Sequence, residues 1–129
     1  MKNQNPSVQE ISKGWHKYFP AIQSIHKKYN RQILFTELGY KSTADSAITP
    51  WEWIDYSSTQ SELASSETQA NCYEAFFNTV WKKKWFAGVH IWQLRCDSKS
   101  GRKRKRGKTH LDFTPQGKPA EKIIAKGFE

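Results

Sequence analysis

Residues 33–40, ILFTELGY, decide how this chain is read. Ile33, Leu34 and Phe35 put apolar groups on both alternating faces, Thr36 is β-branched, and Glu37 ends the run. A segment of strand length with that pattern belongs to a parallel sheet covered on both sides. Strict alternation places Ile33, Phe35 and Glu37 on one face. Gly39 follows two residues after the acid, as if the chain must turn sharply once the carboxylate is placed.

Upstream, Trp15, Tyr18, Phe19, Ile22, Ile25 and Tyr29 recur at helical spacing and predict a helix over about 7–29, broken or kinked near Gly14 and Pro20. Downstream, residues 41–65 form a long polar loop that carries TPWEW at 49–53. Loops of that length inside compact domains are usually functional. Ser66 then opens a helix with Gln69 as its capping-box partner, an apolar stripe of Tyr73, Phe76, Phe77, Val80 and Trp81, and a terminal run Lys82, Lys83, Lys84 suited to the helix dipole. The stretch FAGVHIWQL, 86–94, reads as a second strand on which Gly88, His90 and Trp92 share a face, with Trp92 at a level comparable to Glu37. A basic loop follows, and a short helix from about 118 to 126 has Pro119 in its first turn. The order is that of repeating βα units in an α/β fold with two parallel strands. Two strands close no barrel, so the sheet is incomplete.

The chain of 129 residues fits one domain, and 36% apolar residues suffice for a core. Six Trp and seven Phe imply an aromatic core, a surface that stacks on flat ligands, or both. The net charge of +9 is local: residues 95–108 hold eight Lys or Arg and one acid, Asp97, leaving little excess elsewhere. Cys72 and Cys96 are the only cysteines, with no CxxC and no His/Cys cluster at ligand spacing, so neither a disulfide framework nor a metal site is expected. The polar start MKNQNPSVQE lacks the apolar core of a leader, and no run approaches a membrane span.

In α/β folds ligands bind beyond the carboxyl ends of the strands. Glu37 stands at such an end with Trp92 beside it. A carboxylate to attack the anomeric carbon and a flat ring to stack on a pyranose are what sugar hydrolysis requires.

Taken together, ILFTELGYKS, TPWEW, YEAFF in the central helix, WFAGVHIWQL and DFTPQGKPAEKII resemble the C-terminal part of glycoside hydrolase family 113, from about Ser7 to Phe128. The resemblance implies a retaining (β/α)8 TIM-barrel hydrolase of the clan that includes β-1,4-mannanases, acting on a β-linked polysaccharide or oligosaccharide without metal or organic cofactor. It makes 33–40 barrel strand seven with Glu37 the nucleophile, 86–94 strand eight with Trp92 flooring the subsite beside the scissile bond, and GKPAEKII the closing helix. Residues 1–129 would then be the C-terminal portion of a barrel, with 95–111 a basic loop inside it. The expected substrate-binding residues are Tyr40, Trp51, Trp53, His90 and Trp92. The family's acid/base glutamate lies at the end of strand four, and nothing here corresponds to strands one to six. A missing N-terminal half of the barrel is therefore an expected partner.

Blander readings stand beside these. A strand acid is often paired with a neighbouring Lys or Arg, an interior histidine such as His90 is usually held by hydrogen bonds, and Glu52 fits a loop-ordering contact better than a second catalytic carboxyl. Trp15, Trp81 and Trp85 belong to the core. RKRKR at 102–106 invites a rival reading, a non-catalytic barrel remnant whose loop binds polyanions. No aromatic lies within that run to stack bases, so nucleic acid is not the expected partner.

Overall fold

A computed structural model describes residues 5–53, 63–95 and 111–129. Three helices, α1 (Val8–Tyr29), α2 (Ser66–Thr79) and α3 (Pro119–Gly127), alternate with two parallel strands, β1 (Ile33–Leu38) and β2 (Phe86–Ile91). The helices cover one face of the sheet with α2 in the middle of the layer, packed on both α1 and α3. The other face is open: Leu34, Thr36 and His90 are all exposed. The expectation of strands covered on both sides is therefore met on one side only among the described residues.

α1 starts on a capping box. Ser7 Oγ accepts the Glu10 amide and the Glu10 carboxylate accepts the Ser7 amide at 2.9 Å, satisfying donors that no helical carbonyl can reach. The helix runs without a break through Gly14 and Pro20, correcting the expected interruption. Pro20 is exposed, so the carbonyl it leaves unbonded faces water. Asn30 ends the helix in the left-handed conformation, at φ 50°. Of the predicted stripe, Trp15, Phe19 and Ile22 reach the core, whereas Tyr18, Ile25 and Tyr29 are exposed.

α2 carries the core. Cys72, Tyr73, Ala75 and Phe76 are fully buried on it, and the Phe76 ring contacts those of Trp15, Phe35 and Phe86 at centroid separations of 5.7–6.1 Å. One α2 side chain thus ties α1 to both strands. Its cap is Ser65, whose hydroxyl accepts the Thr68 amide, not Ser66 with Gln69. Gln69 turns inward and donates to the carbonyls of Tyr40, Phe113 and Thr114, which rank as buried groups that need partners. The helix ends at Thr79, so the lysines follow it in the turn rather than occupying its last turn.

The long segments at the carboxyl ends of the strands are pinned by buried polar contacts. Ser65 N donates to Ser42 O, and Ala44 N to Leu63 O, drawing the ends of the 41–65 segment together. Asp112 lies beneath them: Lys118 Nζ reaches its Oδ1 at 3.0 Å and Ser42 Oγ at 2.6 Å, while Ser42 Oγ donates to Asp112 O. The Arg95 guanidinium stands 3.6 Å from Asp112, and Gln116 pairs with the Arg95 backbone through both its amide oxygen and nitrogen. The basic stretch expected at 95–111 lies outside the described residues from 96 to 110, but its two ends are joined here.

Cys72 is fully buried, with Ser46 Oγ at 3.9 Å, and burial pushes its thiol up to about 12. At pH 8 the native protein should leave Cys72 unalkylated by iodoacetamide, and peptide mapping after denaturation should show it labelled. Asp45 behaves oppositely: burial opposes its ionisation, but the Thr43 hydroxyl and the Lys41 ammonium 3.6 Å away outweigh that and lower its pKa. A lowered folded pKa means that the stabilisation is complete above the unfolded pKa of about 3.9 and is lost as pH falls through the folded value. Denaturant unfolding at pH 6 and at about pH 2 should show a smaller drop in stability for Asp45→Asn than for the wild type.

Candidate functional site

The site is created by a mismatch in strand register. Ile33 pairs with Phe86 and Leu34 with Gly88, which leaves one surplus residue in β2; Phe35 pairs with Val89 and Leu38 with Ile91, which leaves one surplus residue in β1. The second irregularity is a bulge, and it breaks the alternation that the sequence implies. Phe35 and Leu38, three apart, both face the helices, and Glu37 falls on the open face with Leu34 and Thr36. The expectation that Glu37 shares a face with Ile33 and Phe35 is thereby corrected. On that shared face it would have met the rings of Trp15 and Phe76.

Because Leu38 pairs with Ile91, the preceding residues Glu37 and His90 stand at one level on neighbouring strands, and both are exposed. Among the described residues no hydrogen bond or ion pair engages the Glu37 or His90 side chain.

β2 ends at Ile91, three residues short of the predicted limit. Its pairing persists one step further, because Trp92 N donates to Leu38 O at 2.8 Å. The Trp92–Gln93 peptide is cis. The role of Gly39 also differs from expectation: its φ lies outside the left-handed region, and what demands a glycine is space. A Cβ at Gly39 would collide with Trp92 O and touch the Trp92 side chain. The residue that follows Leu38 thus lets the Trp92 backbone and indole lie directly against β1, one strand away from Glu37. Trp92 remains 36% exposed.

The remaining expected site residues separate. Trp51 and Trp53 are exposed at 71% and 75%, and Trp53 meets Phe113 edge-on at 5.7 Å. That contact joins the segment after β1 to the segment after β2. Glu52 is exposed between them. Tyr40 does not join the open face. Its ring is buried edge-on against Tyr73 at 5.2 Å, burial holds its hydroxyl well above the ordinary phenol range, and its carbonyl accepts from Gln69. Sequence reasoning gave Gln69 a capping role and passed over Asp112 and the Lys118 side chain; these three fix the two segments. Lys118 stands directly before a helix-starting proline and is the N-cap residue of α3, but no local pattern reveals that it reaches back to Ser42.

Among the described residues no group of three or more His, Cys, Asp or Glu side chains could hold a metal ion, and no helix is long and apolar enough to cross a membrane. An open groove of about 810 Å³ between the N-terminal part of α1 and the length of α2 is lined by polar groups including His16, Asn71 and Glu74. Glu37 does not line it.

Comparison with known proteins gives the arrangement a lineage. Three solved structures share the fold. A family 113 β-mannanase from Alicyclobacillus acidocaldarius in complex with ManMIm aligns with a TM-score of 0.70 at 22% identity, over 96% of this chain and 36% of its own. A complex structure of a family 113 β-1,4-mannanase aligns at 0.69 and 23%, over 88% and 34%. A further β-1,4-mannanase structure aligns at 0.69 and 22%, over 98% and 37%. The chain therefore spans about a third of the length of the structures that it matches. No curated protein matches it. Residues 5–118 match the model of Glycoside Hydrolase Family 113, most of the chain and all of the site just described, and the chain belongs to that family.

Proposed function

We propose that this chain is the C-terminal portion of a retaining β-mannan hydrolase, with β1 and β2 as its seventh and eighth barrel strands and Glu37 as its nucleophile. The observation that carries the reading is the bulge, which aims a carboxylate with no side-chain partner among the described residues out of the sheet onto its open face, at the carboxyl end of the strand and beside Trp92. A bulge at the end of a strand is a common device for aiming a catalytic side chain, and a carboxylate kept for structure would have a partner.

In this reading a mannose ring stacks on the exposed face of Trp92. The Glu37 carboxylate attacks the anomeric carbon as the glycosidic C–O bond breaks, giving a glycosyl ester, and water later displaces the sugar with a second inversion. The departing oxygen takes its proton from a second carboxyl group about 5 Å from the first. We assign that role to no residue of this chain. His90, level with Glu37, contacts the substrate, and Trp51 and Trp53 extend the stacking surface outward. Tyr40 acts only through packing.

The separation of roles suggests the test. A 2-deoxy-2-fluoro-β-mannosyl fluoride has a leaving group that needs no proton, so one carboxylate is enough to form the ester. The intact chain should gain the mass of one fluorosugar on the peptide containing Glu37, and Glu37→Gln should not. Ordinary mannan should be hydrolysed at least about 10² times more slowly than by an enzyme with both carboxyls. Label on Glu52 or on no residue, or brisk mannan hydrolysis by the chain alone, refutes the assignment.

Gly39→Ala forces the Trp92 backbone away from β1 and should cost about 1–3 kcal/mol in stability, the usual range for overpacking. It should also raise the half-saturating fluorosugar concentration about tenfold. A variant that is destabilised but labels with unchanged concentration dependence would remove Trp92 from the site.

A further inference from the structure

We propose that Lys118 is a positioning residue for sugar binding: by clamping Ser42 to Asp112 it holds the arm of residues 42–53 that carries Trp51 and Trp53, and so sets the affinity for a sugar chain longer than the unit stacked on Trp92. This rests on the functional reading above and adds a residue to it. Lys118 is the N-cap residue of α3, directly before Pro119, yet its side chain makes no capping hydrogen bond. An ammonium accepts nothing, so it cannot satisfy the first helical amides as Ser, Thr, Asp or Asn would. The side chain reaches away from α3 instead. Its Nζ donates to Ser42 Oγ at 2.6 Å, to Asp112 O at 3.2 Å and to Asp112 Oδ1 at 3.0 Å.

Ser42 is the root of the arm. It is fully buried, its amide and hydroxyl donate to Asp112 O at 3.1 and 2.9 Å, and its carbonyl accepts from Ser65 N at 2.8 Å. Hydrogen-bonded turns run outward from there: Thr43 Oγ1 donates to Asp45 Oδ1, Thr49 N to Asp45 O at 3.0 Å, and Glu52 N to Thr49 O at 3.1 Å. Trp51 and Trp53 stand at the outer end of this series. Asp112 bears on that end as well, because its neighbour Phe113 is the ring that Trp53 meets edge-on. One ammonium therefore ties the root of the arm to the residue next to the ring at its tip.

Stability does not account for holding the arm. Trp51 and Trp53 are largely exposed, so ordering them removes little apolar surface from water while costing conformational entropy. Rings held in solvent stabilise most when a flat ligand covers them, and holding them beforehand lowers the entropy lost on binding. The arm follows β1 and its partner Phe113 follows β2, so both rings belong to the carboxyl ends of the strands, with Glu37 and Trp92.

The test separates sugar length from folding. Isothermal titration of the full chain with mannotetraose should show binding weakened about tenfold by Lys118→Met and about threefold by Lys118→Arg, which keeps the charge. The fluorosugar is a single unit, so its half-saturating concentration for labelling Glu37 should stay within about twofold in both variants. Phe113→Leu leaves the ion pair intact and should give the same split as Lys118→Met. If Lys118→Met does not fold, Lys118→Arg and Phe113→Leu decide the matter. Mannotetraose affinity unchanged in the folded variants, a wild-type chain that binds no mannotetraose, or equal weakening for both sugars overturns the proposal. Mannotetraose binding weakened by both substitutions, with no fluorosugar on Glu37 of the wild type, would refute the nucleophile assignment and leave the positioning role standing.

Discussion

One surplus residue in β1 decides where the Glu37 side chain points. Between Phe35 and Leu38 the strand advances three residues while its partner advances two, from Val89 to Ile91. The extra step is tolerated because both ends of the bulge are held by side chains in the aromatic core: Phe35 against Trp15, Phe76 and Phe86, and Leu38 among the buried residues around Tyr73 and Phe76. A slip of one residue would turn every following side chain to the opposite face and take Leu38 out of the core. The core therefore fixes where Glu37 can point, and the packing that stabilises the sheet is also what presents the acid.

The second constraint is electrostatic and lies at the edge of the site. Asp112 and Lys118 are both largely buried and are satisfied by one another, by Ser42 and by the Thr114 amide and hydroxyl. A buried pair of this kind adds little net stability over an apolar replacement, but losing one member strands a charge, at a cost of about 3–5 kcal/mol. Its effect is geometric. It locks the start of the segment after β1 to the end of the segment after β2, the two segments that Trp53 and Phe113 also join.

The open face of the sheet and the exposed flank of α1 both carry large apolar side chains to the surface of this chain. The open face carries Leu34, Glu37 and His90, and the helix side carries Tyr18, Ile25 and Tyr29. The solved β-mannanases that share this fold are nearly three times as long as the stretch they have in common with it.

Periodicity and motif order by themselves determined the element order, both strands, the core role of Trp15, Trp81 and Trp85, and the family, because these depend on residues near one another in sequence. Tertiary structure alone decided the facing of Glu37, since a bulge is a count of residues on one strand against its partner and no single strand records it. The same holds for Tyr40, drawn into the core by Tyr73 and Gln69, and for Gly39, whose missing side chain is explained by Trp92, 53 residues away. Pro20 shows the converse: a local rule predicted a break, but a proline on the solvent side of a well-packed helix leaves only one carbonyl to water, and the core contacts of Trp15, Phe19 and Ile22 keep the helix whole.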